Sequence, residues 1–310
     1  MNNIIQILPS NKIDSTRWNN CVEQSDNSII YADYFFLSTL CDHWSGLIIG
    51  DYKTIMPLPW RKKWGIRYFY APAFIQQLGL FGDLSNLPIP NILNTLKEFA
   101  RFGDLFLNYR NSEVLKKTKC FQKTNYILNL NQSYPQIHSR YTHDLIKNLQ
   151  KSEKRNLTYN KDVNIEDTIL QFQAQYQERF PHYNFTDYQN LIKVCLELAK
   201  NNQCIIRSVH NETTNDPLSI ALLLKDNKRL YLLLNTTNTI GRSFAANHFL
   251  LDQIIQEFSE ENLVFDFEGS EKKGIKEFYE SFHPEIQPYY HCRFNNLPFL
   301  MNYVRKLFEK

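Results

Sequence analysis

The sequence predicts an α/β protein with mixed sheets and two domains packed side by side. The chain has 310 residues, and a single hydrophobic core usually stops growing at about 250–300 residues. Hydrophobic residues make up 43% of the chain and aromatic residues 14%, which supplies enough apolar side chains for two cores. The segment Asn262–Phe282 combines an alternating strand, a turn at Gly269 and an amphipathic helix, as α/β proteins commonly do.

Strands and helices alternate along the predicted first half. In chain order we expect a short first strand, a helix with Asp14 as N-cap, a helix after Tyr31, a hairpin of 45–50 with 54–60, an extended segment at 67–74, a helix from Pro88 to about Phe102, and strands at 105–109 and 125–130.

The polar segment Asn131–Arg140 contains a proline and predicts the linker, which gives domains 1–135 and 136–310. The second half shows strands joined by turn-rich segments, typical of an antiparallel meander. Its expected elements are helices at 142–156 and across 166–201, strands at 204–209, 218–224 and 229–235, a helix at 243–259, the strand–turn–helix, a strand at 287–293, and a basic helix at 297–310 that packs on either domain.

A weak internal repeat relates the two halves. An offset of 158 residues superposes DLFLNYRNSE on NLVFDFEGSE and ILNTLKEFA on LLDQIIQEF without a gap. Asp266 and Glu268 then correspond to Asn108 and Arg110, so the acidic pair belongs to the second half alone. If the few identities are not coincidence, the second domain is catalytic and the first binds the acceptor.

Motifs that the chain lacks argue against several protein classes. It has neither the GxGxxG motif of Rossmann dinucleotide-binding proteins nor the GxxxxGK[ST] motif of P-loop proteins. A net charge of +3 is too small to predict nucleic-acid binding by itself. With no run of about 18 apolar residues and no signal-peptide pattern, we expect a cytoplasmic protein without stable membrane insertion. The histidines lack metal-ligand spacing, so no metal is predicted. The six scattered cysteines predict reduced thiols at 21, 41, 120, 195, 204 and 292.

The order of meander, helix, strand, helix and strand resembles the GNAT acyltransferases. Their phosphate loop, Gln/Arg-x-x-Gly-x-Gly/Ala, is matched by the run from Arg242 to Asn247, although Ala and Asn stand at the glycine positions. The resemblance implies that acyl-CoA, the expected co-substrate, binds by its pyrophosphate to Arg242, Ser243, Phe244, Ala245, Ala246 and Asn247. The alternatives are a plain helix start with Ser243 as N-cap, or a non-catalytic binding module that retains the fold.

The segment GIKEFYESF is similar to the GNAT helix whose tyrosine protonates the leaving thiolate, which implies that role for Tyr279. The alternative is an apolar helix stripe of Phe278, Tyr279 and Phe282. A strand through 263–268 would place Asp266 and Glu268 on one face. We therefore expect Glu268, helped by Asp266, to deprotonate the attacking amine, unless the pair is only a solvated sheet edge.

The tandem arrangement, the run Lys154-Arg155-Asn156-Leu157 and the segment FDFEGS resemble the Fem-like acyltransferases. These include peptidyltransferases that add amino acids to peptidoglycan precursors. The resemblance implies N-acyl transfer from acyl-CoA to a small-molecule or cell-wall-precursor amine. An aminoacyl-tRNA donor is the alternative, weakened because no coiled-coil arm is present.

A basic and aromatic cluster occupies PLPWRKKWGIRYFYAP in the first domain. Such mixing suits an anionic ligand, because cations supply charge and rings supply stacking. Arg61, Lys63, Arg67 and Tyr70 are the predicted acceptor-binding residues. The alternative is a hairpin with a solvated basic tip.

Overall fold

The computed structural model describes residues 4–111, 119–161, 163–211 and 214–298. The chain forms two compact units. The first contains residues up to Lys123 together with the segment from Tyr289, and the second is Thr124–Pro288. This division differs from the predicted domains 1–135 and 136–310, because the chain returns to the first unit near its end. Of the predicted helix 297–310, residues 299–310 lie outside the described residues.

Helices and strands are each numbered in chain order. The described helices are Ser15–Gln24 (α1), Tyr34–Leu40 (α2), Ile89–Phe99 (α3), Tyr134–His138 (α4), His143–Glu153 (α5), Ile165–Tyr176 (α6), Phe185–Ala199 (α7), Thr239–Ser243 (α8), Ala246–Glu257 (α9) and Lys273–Glu280 (α10). The described strands are Ile5–Pro9 (β1), Trp44–Ile49 (β2), Thr54–Lys63 (β3), Ile66–Phe69 (β4), Phe81–Gly82 (β5), Phe102–Leu107 (β6), Cys120–Lys123 (β7), Tyr126–Asn129 (β8), Leu157–Asn160 (β9), Cys204–Asn211 (β10), Thr214–Lys225 (β11), Arg229–Thr237 (β12), Val264–Asp266 (β13), Glu285–Ile286 (β14) and Tyr289–Asn295 (β15).

Local sequence signals explain where several helices begin. Asp14 caps α1 by accepting a hydrogen bond from the amide of Arg17 at 3.1 Å, as predicted. Thr142 and Asn164 cap α5 and α6 in the same way. Amphipathic α3 follows Pro88 and buries residues 89, 92, 93 and 96, the spacing of one helix face. These termini are therefore set within a few residues of sequence.

The two units contain sheets of matching strand order. In the first unit the order is β1-β2-β3-β4-β6-β15-β7, with β5 paired to β3. In the second it is β9-β10-β11-β12-β13-β8-β14. Each sheet has one parallel pair, β4 with β6 and β12 with β13, and the predicted meander is β10-β11-β12. The mixed α/β fold class is confirmed.

In each sheet, one strand comes from a part of the chain that the sequence prediction assigned to the other domain. Strand β8 pairs with β13 and β14 of the second unit, and β15 pairs with β6 and β7 of the first. The sequence prediction placed both strands in the opposite domains. The predicted linker 131–140 is also structured, since it contains α4 with the fully buried Ile137.

The structure agrees with the repeat at an offset of 158 residues. Under this offset α3 falls on α9, and the residue after each of Leu107 in β6 and Phe265 in β13 accepts a hydrogen bond from the amide two positions later. Asn108 Oδ1 accepts a hydrogen bond from the amide of Arg110 at 3.1 Å, and Asp266 Oδ1 accepts one from the amide of Glu268 at 3.0 Å. Asn108 and Asp266 thus make the same side-chain contact and differ in charge, although the left-handed backbone occurs at Glu268 and not at Arg110.

The expectation that all six cysteines are reduced thiols is wrong. Cys120 and Cys292 lie opposite each other in β7 and β15 and form a disulfide that joins the returning strand to the first unit. Their sequence separation of 172 residues hid the pair, because only the strand register brings them together.

Within the described ranges, no group of three or more His, Cys, Asp or Glu side chains is arranged to hold a metal ion. None of the described helices combines the length and apolar character needed to cross a bilayer.

Candidate active site

The candidate site lies in the second unit, where its two parallel strands separate. Strands β12 and β13 pair at three positions, the last of which joins Tyr231 to Asp266. Beyond that pair β13 stops, whereas β12 continues through residues 232–237. The register between β11 and β12 also skips Leu233, so a bulge lies just past the separation. Part of the β12 edge is therefore left without its parallel neighbour.

A buried ion pair fixes the point of separation. Asp266 is fully buried, and its Oδ2 accepts a hydrogen bond from Nη1 of Arg229 at 2.8 Å. Its Oδ1 accepts from Nδ2 of Asn125 at 2.9 Å and from the amide of Glu268. Arg229 in turn donates to Oε1 of Gln287 at 2.6 Å. This carboxylate is engaged in holding the strand end together.

The predicted shared strand face of Asp266 and Glu268 is wrong. The strand ends at Asp266, and Glu268 has a left-handed backbone with a φ of 61°. A non-glycine residue in this region is strained, and such residues occur often at functional sites. Glu268 is half-buried and turns away from the direction of the strand.

Glu268 and Tyr279 interact electrostatically. The pKa of Tyr279 lies above its ordinary value. Burial of the phenol is the larger cause, and the negative charge of Glu268 is the second. The Tyr279 ring on α10 packs against Phe267 with 5.0 Å between ring centroids, and edge-on to Tyr126 at 6.4 Å. The phenol therefore remains protonated at neutral pH beside a carboxylate.

The predicted phosphate loop contains a break between two helices. We expected one helix over 243–259, but α8 ends at Ser243 and α9 begins at Ala246. Between them Ala245 has φ 57° and ψ 30°, a left-handed conformation that glycine adopts without strain. The chain thus keeps a glycine-type backbone at the position where the GNAT pattern has its first glycine.

Around this break, the side chains have hydrogen-bond partners within the fold, whereas the backbone amides at the start of α9 have none from helix geometry. Arg242 is exposed and donates to the carbonyl of Thr237 at 3.0 Å, and the amides of Ala246 and Asn247 stand in the first turn of α9, where helix geometry supplies no acceptor. The side chain of Asn247 is engaged, because its Oδ1 accepts hydrogen bonds from Ser219 and Asn235 at 3.1 and 2.9 Å. Ser243 is exposed and donates to a carbonyl of its own helix. The side chains of Ser243 and Asn247 are thus engaged within the fold, and donor binding by this segment stays a prediction.

Sequence reasoning missed His248 in the same turn. Its Nδ1 is buried without a hydrogen-bond partner, and burial together with the charge of Lys151 lowers the pKa of His248 to about 4. Its ring contacts Phe278 edge-on at 4.9 Å, which joins the start of α9 to α10. Arg155 lies over the Phe244 ring at 4.8 Å. The end of β13, the helix α10 that contains Tyr279, and the start of α9 near Lys151 and Arg155 therefore meet in one region.

The predicted acceptor-binding residues of the first unit are largely engaged within it. Arg61 forms an ion pair with Asp42 and lies 4.0 Å over the Tyr70 ring. Tyr70 is buried, and its hydroxyl accepts a hydrogen bond from the amide of Asp42 at 2.8 Å.

Arg67 lies between two rings, 4.6 Å from Trp60 and 4.1 Å from Phe99, and burial lowers its pKa. Lys63 alone of the four is exposed, at the end of β3. Acceptor binding by this group stays a prediction.

Searches of family models and of curated proteins found no match to the sequence. Solved structures do match. FemX has 12% identity and a TM-score of 0.67, covering 98% of this chain and 100% of its own. L-PGS from Bacillus licheniformis has 11% identity and a TM-score of 0.56, with coverages of 94% and 95%. A tandem GNAT protein from the clavulanic acid biosynthesis pathway has 8% identity and a TM-score of 0.56, with coverages of 95% and 99%. The chain has a Fem-like tandem GNAT fold, as its motifs predicted.

Replacing Ala245 with glycine should not destabilise the protein, and should raise its unfolding free energy by up to about 1 kcal/mol, because the left-handed strain is removed. The matched control is Ala246→Gly, one residue later and inside α9, which should lower that free energy by about 1 kcal/mol. Urea unfolding monitored by circular dichroism measures both variants. Equal losses in the two would contradict the left-handed assignment.

Replacing Asp266 with asparagine should lower the unfolding free energy by about 3–5 kcal/mol, because the buried guanidinium of Arg229 loses its counter-charge. Asp51→Asn is the matched control, since it removes an exposed partner of Arg17 and should change stability little. Both are compared by chemical denaturation. If Asp266→Asn were as mild as the control, the ion pair would not hold the strand end.

Proposed function

We propose that the protein is an N-acyltransferase that moves an acyl group from acyl-CoA to an amine of a polar or anionic acceptor. The observation that carries this proposal is the separation of β12 from β13 beside Glu268 and Tyr279. In the GNAT proteins that the chain resembles, the pantetheine arm occupies such a splay between parallel strands. The tandem GNAT fold supports the same assignment.

The donor phosphates are assigned to the start of α9. The amides of Ala246 and Asn247, the helix dipole and the guanidinium of Arg242 all favour an anion. Lys151 and Arg155 add positive charge nearby. The charge of Lys151 lowers the pKa of His248, and the guanidinium of Arg155 lies over the Phe244 ring.

The chemistry is direct attack by the amine on the thioester. Glu268 accepts a proton from the attacking nitrogen, a C–N bond forms, and the C–S bond breaks as the intermediate collapses. Tyr279 gives its proton to the departing thiolate. Once Glu268 is protonated its charge no longer opposes ionisation of Tyr279, so the phenol becomes a stronger acid when it must donate. Proton transfer from Glu268 to Tyr279 through solvent restores the starting state.

Asp266 has a positioning role in this scheme. It holds the amide of Glu268, while its own charge is compensated by Arg229. Asp266 therefore helps Glu268 by position and not by its own charge.

Glycine is absent at 245 and 247, and this favours a second candidate with a different donor, an aminoacyl-tRNA for transfer to a cell-wall precursor. A methyl group and an amide side chain leave less room for a pyrophosphate against the backbone. The exposed basic residues of α5 and its end would contact the tRNA backbone: Lys147, Lys151, Lys154 and Arg155. Such binding would fall steeply with added salt.

Calorimetric titration with CoA, followed by turnover of Glu268→Gln, tests the proposal. Wild-type protein should bind CoA, and the variant should keep that affinity while losing about 10²–10⁴-fold in turnover, because only the base is removed. Glu277→Gln, an exposed carboxylate on α10, is the matched control and should retain activity.

Each outcome separates the candidates. No heat at millimolar CoA, with salt-sensitive binding of tRNA, would favour the second donor. CoA binding with no turnover in any variant would indicate a non-catalytic binding module.

A further inference from the structure

The hairpin of β3 and β4 ends in an exposed tryptophan. The first six residues of β3 are buried and its last two, Lys62 and Lys63, are exposed. Trp64 follows in the turn with 61% of its surface exposed, whereas Trp18 and Trp44 are buried and Trp60 is partly covered. The chain therefore presents a large indole to solvent at the end of a strand pair.

The backbone conformation at this turn is unfavourable for tryptophan, the residue at position 64. Trp64 has φ 51° and Gly65 has φ 77°, and a two-residue hairpin turn with both angles positive favours Asn-Gly. A bulky aromatic residue in this region is strained. Local folding therefore favours asparagine over tryptophan at position 64, which points to a role for the ring outside the fold.

The charge left at the tip is positive and lysine-based. Arg61 is neutralised by Asp42, and Arg67 is held between two rings. In the part of the chain that the structure describes, no carboxylate forms an ion pair with Lys62 or Lys63. The Nζ of Lys63 lies 5.0 Å from the centre of the Trp64 ring. The tip thus combines one indole with two uncompensated ammonium groups.

We propose that this hairpin tip docks on the surface of an anionic phospholipid membrane. Tryptophan favours the boundary between lipid headgroups and hydrocarbon, and each lysine near an anionic surface strengthens binding about fivefold. A two-residue turn is narrow and convex, which suits a flat surface. Single-stranded nucleic acid is instead bound in a basic groove with several stacked rings, and here the arginines that would line it are engaged internally. The membrane is therefore the partner that these residues fit.

Sedimentation with vesicles tests the proposal on the full chain. The protein should sediment with vesicles of equal parts phosphatidylglycerol and phosphatidylcholine, and not with phosphatidylcholine alone. Tryptophan emission should shift to the blue on binding, because Trp64 leaves water. Trp64→Asn should unfold at a higher urea concentration than wild type and yet lose both the shift and most of the binding. The opposite signs separate docking from misfolding.

Charge variants complete the test. Replacing Lys62 and Lys63 with glutamine should weaken binding about 30-fold, as two lost lysines imply. The same double change at Lys272 and Lys273, an exposed pair in the second unit, should leave binding unchanged. The proposal is overturned if wild type ignores phosphatidylglycerol, if Trp64→Asn binds like wild type, or if an RNA hairpin retains the protein while vesicles do not.

Discussion

The ion pair between Arg229 and Asp266 determines the arrangement of the candidate site. It runs diagonally from Arg229, at the first paired position of the parallel strands, to Asp266, at the last, and both side chains are buried. A buried charge without its partner is costly, so neither residue can be lost alone. Asp266 also accepts a hydrogen bond from the amide of Glu268, at the point where β13 ends and the turn begins. The fixed Asp266 side chain therefore places the Glu268 carboxylate beside Tyr279. The opening along β12 begins after Tyr231, the residue that pairs with Asp266.

The first unit shows the same side-chain contact without the charge. Asn108 holds the amide of Arg110 as Asp266 holds that of Glu268, but its neutral side chain needs no cation and is bonded to Asn27 and Asn111. The repeat therefore keeps this side-chain-to-amide hydrogen bond, while the acidic group is present in one copy. This is the physical basis for placing the chemistry in the second unit and for seeking other roles for the first.

Local signals were predictable from sequence, and long-range pairings were not. The cap at Asp14, the hairpin of β2 with β3 and the meander depend on neighbouring residues, and the predictions of these elements are confirmed. The strand exchange of β8 and β15 and the disulfide depend on pairings between distant segments, which leave no local pattern. His248 was missed because its importance comes from an unmet hydrogen bond. Arg229 was read only as the start of a strand, since the cation partner of Asp266 becomes visible through the parallel register.

The proposed function requires that the opening between β12 and β13 receives the donor. Hydrogen exchange of backbone amides, measured with and without CoA, locates the donor residue by residue. We expect slower exchange at residues 232–237 of β12 and in the first turn of α9 when CoA is present, with little change in the first unit. Unchanged exchange along β12 despite bound CoA, or protection confined to the first unit, would show that the donor does not bind in this opening.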